Sequence, residues 1–103
     1  SYELELINFD YLFTEIQTYL EQHTDIQEME LKINIQPQLN LETDPSLFKM
    51  IVENLMENAV HFRRQKQGLK SYLHVNITSN EKSVILQFTD NGTGIREEDI
   101  PKL

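Results

Sequence analysis

The 103-residue sequence carries 17 Asp and Glu against 9 Lys and Arg, a formal net charge of −8, and no cysteine. Its length fits one domain with little stability to spare, and the acidic balance argues against nucleic acid as a partner, because binding a phosphate backbone needs a concentrated basic surface. Disulfides and Cys-based zinc sites are excluded outright, and no apolar run approaches the ~20 residues that a bilayer-spanning helix needs. The N-terminus has neither a basic start nor an apolar signal core, so no targeting peptide is expected.

In chain order, residues 2–7 alternate weakly and read as a short strand. Phe9, Leu12, Phe13, Ile16, Tyr19 and Leu20 then follow helical spacing, with Asn8 or Asp10 as cap. Met29, Leu31, Ile33 and Ile35 alternate with Glu30, Lys32, Asn34 and Gln36, the period-two pattern of a strand with one dry face. Pro37 ends it, and Leu39 and Leu41 suggest a short following strand. Asp44-Pro45 reads as an N-cap with proline in the first helical turn, opening a helix that should run to about Gln65 and close at Gly68. Leu73, Val75 and Ile77 form one face of a strand, Ser79-Asn80-Glu81 a turn, and residues 83–89 the antiparallel return. The order β-α-β-β-α-β-β has too few helices to cover both faces of a parallel sheet. An α+β fold is expected, a two-layer α/β sandwich with helices on one face of a mixed sheet.

On the second helix, at ~100° per residue, Phe48, Ile51, Leu55, Ala59 and Phe62 form an apolar stripe widened by Val52 and Met56, with Asn54, Asn58 and His61 together at its edge. Asparagine is a poor helix former, and a partly buried amide must find partners. A ligand would supply them; the carboxamide oxygen is a hard neutral donor suited to Mg²⁺, which keeps several waters and takes further ligands from phosphates. Glu53 and Glu57 lie farther round and read as solvated charges. His23 and His74 read as surface residues, and the basic cluster Arg63, Arg64 and Lys66 as a helix C-terminal complement to the dipole. Farther on, Val84, Leu86, Phe88 and Asp90 share strand parity, so Asp90 should point to the core side. A carboxylate there needs a donor. Gly92 and Gly94 allow positive φ and close backbone approach.

The segments Glu-Asn-Leu-Met-Glu-Asn-Ala at 53–59 and Asp-Asn-Gly-Thr-Gly-Ile at 90–95 together resemble the ATP-binding domain of bacterial sensor histidine kinases, a fold shared with gyrase, the MutL proteins and the large heat-shock chaperone. The resemblance runs from about Ile7 to Leu103, and it reads residues 1–103 as one partial ATP-binding domain. It implies that Asn58 is the second asparagine of the N box and coordinates the Mg²⁺ of Mg-ATP, with Asn54 assisting at the metal or phosphates. Gyrase-type hydrolases carry a glutamate where Asn54 stands, and an amide cannot be a general base, so no residue is assigned as catalytic. His61 departs from the lysine or arginine that many members place near the phosphates; a neutral imidazole stabilises them less. Asp90 would accept a hydrogen bond from the adenine amino group, with Gly92, Gly94 and Ile95 lining the same turn.

Ile-Pro-Lys-Leu at 100–103 looks like the approach to the family's ATP lid; the lid and the second glycine box, whose amides receive phosphates at a helix N-terminus, are not among these residues. None of His23, His61 and His74 sits in a phosphoacceptor-like sequence. The resemblance therefore implies ATP as substrate and Mg²⁺ as cofactor. It further implies a cytoplasmic domain of a homodimeric parent, with or without a membrane anchor, that phosphorylates a separate helical hairpin and then a response regulator, the fragment alone being inactive. Two alternatives stand beside it: a serine-directed kinase of the anti-sigma type, disfavoured by Asn54, and a degenerate module that binds nucleotide or a partner without chemistry.

Overall fold

The computed structural model describes residues 4–62, 70–91 and 94–102. Its first layer is helical. Strand β1 (Glu5–Leu6) leads into α1 (Phe9–His23), where the Asn8 side chain accepts the Tyr11 N–H at 3.1 Å and so satisfies one orphan amide of the first turn. The helix buries Phe9, Leu12, Phe13, Ile16 and Leu20 as its spacing requires, whereas Tyr19 lies at the exposed margin. A 3-10 turn (Ile26–Glu28) follows, then β2 (Glu30–Ile35).

Strand β3 (Glu42–Thr43) pairs antiparallel with β1 in a small separate ribbon. The expected strand around Leu39 and Leu41 is displaced: both leucines are buried in the core and the pairing begins after them. Helix α2 (Pro45–His61) opens as expected, with the Asp44 carboxylate accepting the N–H groups of Ser46 and Leu47 at 2.9 and 3.1 Å and Pro45 in the first turn. It closes at His61, earlier than the expected Gln65, and the expected Gly68 stop lies outside the described residues.

The second layer is a sheet of β2, β4 (Tyr72–Ser79), β5 (Ser83–Asp90) and β6 (Gly94–Pro101) in that order, parallel between β2 and β4 and antiparallel elsewhere. Register stacks Leu31, Leu73 and Asp90 in one row, Ile33, Val75 and Phe88 in the next, and Ile35, Ile77 and Leu86 beyond. These side chains share one face, and α2 packs against β4 and β5. The mixed sheet with both helices against one face is the expected sandwich. Each fully buried Leu, Ile, Val or Phe contributes roughly 1.5–3 kcal/mol relative to exposure, so Phe48, Val52, Met56, Leu73, Val75, Ile77, Leu86 and Phe88, all nearly inaccessible, hold the layers together.

Strand β6 is an addition to the expected order. Arg96-Glu97-Glu98-Asp99 offers no apolar alternation; the strand is held by its backbone ladder to β5, by Ile100 packed on the core, and by a Gln87–Glu97 side-chain hydrogen bond of 3.2 Å. Its run of charges blunts a free edge against further pairing.

Candidate nucleotide site

Helix α2 has three distinct sides. Phe48, Val52, Met56, Ala59 and Val60 are buried against the sheet; Ile51 and Leu55 are only half-buried, and Phe62 is 54% exposed. The expected stripe through Ile51, Leu55 and Phe62 is therefore rotated. Val60 and Met56 complete an i, i+4 ridge with Val52 and Phe48, which packs more apolar surface onto β4 and β5 than a stripe ending in Phe62 would. This rotation moves Asn54, Asn58 and His61 from the core margin to the solvent side, where all three are exposed on one face. The His61 ring lies edge-on against Phe62, centroids 4.8 Å apart.

The third side of α2 faces α1. Lys49 Nζ lies 3.3 Å from Glu15 of α1, and the Tyr19 phenol of α1 lies near the Glu57 carboxylate. The Glu57 carboxylate, as acceptor and as charge, with burial and Glu53 adding, holds the phenol's pKa above its ordinary value of 10. Glu53 and Glu57 are thus half-buried partners of α1 rather than the solvated charges their sequence suggests.

At the sheet, Asp90 is the last residue of β5 and is 5% exposed; among the described residues it is the one buried ionisable side chain, and Ser71 is the other buried polar one. Its parity with Val84, Leu86 and Phe88 is the expected one, and its register partner Leu73 lies at the start of β4, reached from the end of α2 through residues 62–71. The neighbouring Asn91 does something the sequence reading missed. Its Oδ1 accepts the Tyr72 N–H at 3.2 Å and its Nδ2 donates to the Lys70 carbonyl at 3.4 Å, tying the end of β5 to the start of β4. The Asp-Asn-Gly turn signature was the available clue, since asparagine side chains bind nearby backbone in such turns.

Gly94 has φ of +92°, and a Cβ there would meet nothing within 4 Å; the position needs glycine for its backbone conformation, and the space beside it is open. Gly92 lies outside the described residues. Ile95 is not brought to the site. It pairs opposite Thr89, one residue out of parity with Asp90, so it projects from the far face of the sheet and is 66% exposed. On that far face His74 also departs from its expected surface role: the ring is half-buried between Tyr72, 4.8 Å away, and the edge of β2, and its Nε2 is buried 3.8 Å from Glu30 Oε1.

Among the described residues no group of three or more His, Asp or Glu side chains is arranged to hold a metal, and the oxygens offered on α2 are neutral, exposed and one turn apart. Such a set fits an octahedral ion that draws most of its ligands from phosphates and water.

With this geometry the chain belongs to the histidine kinase-, DNA gyrase B- and HSP90-like ATPase family, whose model matches residues 43–103, more than half of the sequence. Its relatives are kinases. It is 24% identical over 102 residues to sporulation kinase B of Bacillus subtilis (strain 168), a match covering 99% of this chain and 23% of that protein. It superposes on the histidine kinase AdeS of Acinetobacter baumannii with a TM-score of 0.73 at 17% identity, over 93% of this chain and 46% of that one. Histidine kinase ThkA, solved in complex with the response regulator protein TrrA, gives a TM-score of 0.63 at 18% identity, over 86% of this chain and 26% of that one. The chain thus spans about a quarter of its curated relative and just under half of AdeS. It is an ATP-binding domain of the histidine-kinase type, homologous to a sensor kinase.

Proposed function

We propose that residues 4–102 hold Mg-ATP across the two layers, the base at Asp90 and the phosphates along the asparagine face of α2. The observation that carries this reading is the buried Asp90. A carboxylate has two oxygens that each accept more than one hydrogen bond, so at the end of a strand, level with an otherwise apolar face, it can accept one from an adenine amino group in the geometry that a strand-end acceptor can meet. Gly94, with open space beside it, lets base or ribose approach the backbone. Asn58, assisted by Asn54, contributes neutral oxygen to the Mg²⁺, which would neutralise phosphate charge when bound. His61 adjoins them on the same face as a phosphate contact. Ile95 lies on the far face of the sheet from Asp90.

Asn54 bears on the reaction. An amide offers no general base for activating water, so the site favours phosphoryl transfer, which rests on positioning and charge neutralisation, over hydrolysis. In this reading the protein containing the chain transfers the γ-phosphoryl group of ATP to a histidine on a separate helical domain, acts as a homodimer in the cytoplasm, and passes the group to a response regulator. The solved pairing of ThkA with TrrA supports that last partner.

Binding by this chain should be adenine-led and weak. ADP titration followed by NMR is expected to shift resonances over residues 86–95, and Asp90→Ala is expected to abolish those shifts. Unchanged shifts in the variant would remove Asp90 from the site.

A further inference from the structure

The two edges of the sheet end the core differently. On the face that meets the helices, β6 sets Arg96 opposite Phe88 and Glu98 opposite Leu86, so the apolar rows stop before that edge. At the other edge they run on. Leu31, Ile33 and Ile35 of β2 stand in the same rows as Leu73, Val75 and Ile77 of β4; the β4 residues are fully buried, whereas those of β2 are only half-buried.

Strand β2 is outermost in the sheet. Its Glu30 and Gln36 N–H groups donate toward β4, to the carbonyls of Ser71 and Ile77, each at 2.9 Å. Backbone groups along a strand alternate sides, so the N–H and C=O groups of Leu31, Ile33 and Ile35 point away from β4, where no strand pairs with them among the described residues. Such a row is a template for another strand, and the side chains beside it select which one.

A closed pair of identical chains needs a two-fold axis, and therefore antiparallel pairing. With the axis at Ile33, that residue meets its own copy, Leu31 meets Ile35, Lys32 meets Asn34 and Glu30 meets Gln36. Apolar side chains then join on the helix-bearing face and no like charges are opposed. Moving the axis to Lys32 sets two lysines face to face, which is destabilising. An axis at Leu31 runs Ile35 against the 3-10 turn at Gln27, and one at Asn34 sets Leu31 against Pro37, which has no N–H to donate.

We propose that β2 is a homodimerisation edge: two copies of this chain pair β2 to β2, antiparallel about Ile33, and join their sheets into one. Asp90 stands on β5, two strands in from the joint, so the pairing leaves the base end of the candidate nucleotide site clear and does not depend on that reading. The formal charge of −8 on each copy opposes the contact, so the association is weak at low salt and strengthens as salt screens the repulsion.

Asn34 provides the test, because it is exposed and because register and net charge make opposite demands on it. Asn34→Lys reduces the net negative charge yet opposes Lys32 at two symmetric positions; Asn34→Glu increases it yet gives each Lys32 a carboxylate. Both variants lose the same hydrogen bond to Asn76, so their comparison cancels that loss. Sedimentation equilibrium of the 103-residue chain, without nucleotide and at about 0.15 M salt, is expected to show a monomer–dimer equilibrium. Asn34→Lys should weaken it roughly twofold to thirtyfold, the effect of two cross-strand charge pairs, and Asn34→Glu should tighten it. Hydrogen exchange supplies a second readout. As concentration rises, the amides of Leu31, Ile33 and Ile35 should slow while those of Lys32 and Asn34, which face β4, stay constant. A chain that remains monomeric at millimolar concentration overturns the proposal. So does a dimer that tightens in Asn34→Lys, as net charge alone would have it, or one that forms without slowing those three amides.

Discussion

The end of β5 and the outer face of α2 are the two halves of the candidate site, and they are built in opposite ways. Asp90 sits on a strand whose position is fixed by neighbours on both sides, by register with Leu73, and by Asn91 bridging to residues 70 and 72. Asn54, Asn58 and His61 stand on a helix that is anchored by its other two sides, the ridge against the sheet and the Lys49–Glu15 pair toward α1. A group that recognises a flat base benefits from a rigid, dry floor, where the low dielectric strengthens its hydrogen bond. Groups that share a hydrated ion with phosphates must remain accessible to water. The contrast teaches that fold and chemistry are coupled tightly at the sheet and loosely at the helix, so substitutions should separate stability from binding on α2 and join them on β5.

The largest effect expected from breaking α2 is on its inner side. Met56→Ala empties a fully buried position and should lower stability by about 2–5 kcal/mol, while Met50→Ala, on the same helix but 52% exposed, should stay within about 0.5 kcal/mol. Denaturant titration of the two variants checks this, and a cost for Met50 comparable to that for Met56 would refute the assigned rotation of α2. Next in size is Asn91→Ala, which removes two hydrogen bonds and leaves the Tyr72 N–H without its acceptor. It should cost about 1–2 kcal/mol and speed amide exchange at Tyr72. Unchanged exchange there would mean that Asn91 does not tie the strands, and that the rigidity of the Asp90 floor comes from register alone.

How much of this was legible beforehand follows from which forces act locally. The caps at Asn8 and Asp44, the dry faces of β4 and β5, and the inward direction of Asp90 are set by periodicity and by side chains within a few residues, and the sequence carries them openly. The rotation of α2 is different: Phe62 and Val60 are equally eligible for burial from their spacing, and only the position of β4 and β5 beneath the helix decides between them. Glu53, Glu57 and Tyr19 show the same dependence, since nothing near Tyr19 in sequence announces a carboxylate from another helix. Strand β6 was invisible because its charged run has no alternation; its pairing comes from the backbone of β5. Ile95 stands on the opposite face from Asp90 for a related reason, as motif membership says nothing of parity until the strand is in place.

The smallest expected change in stability, and the most selective change in function, belongs to Asn58→Ala. The side chain is exposed, so its loss leaves no cavity and no buried group unpaired, and alanine is the better helix former by up to roughly 0.7 kcal/mol. Melting should therefore be unchanged or slightly raised. Mg²⁺, by contrast, loses one protein oxygen from a ligand set otherwise made of phosphates and water, so the enhancement of nucleotide affinity by Mg²⁺ should fall sharply while binding of the adenosine moiety persists. In the full-length protein the same variant should nearly eliminate phosphohistidine formation. Asp90→Ala provides the contrast, since it should lose ADP with or without the metal. If Asn58 merely occupied an exposed turn, its replacement would leave both the Mg²⁺ dependence and phosphorylation at native levels, and that pair of measurements on one stable variant would end the metal-ligand assignment.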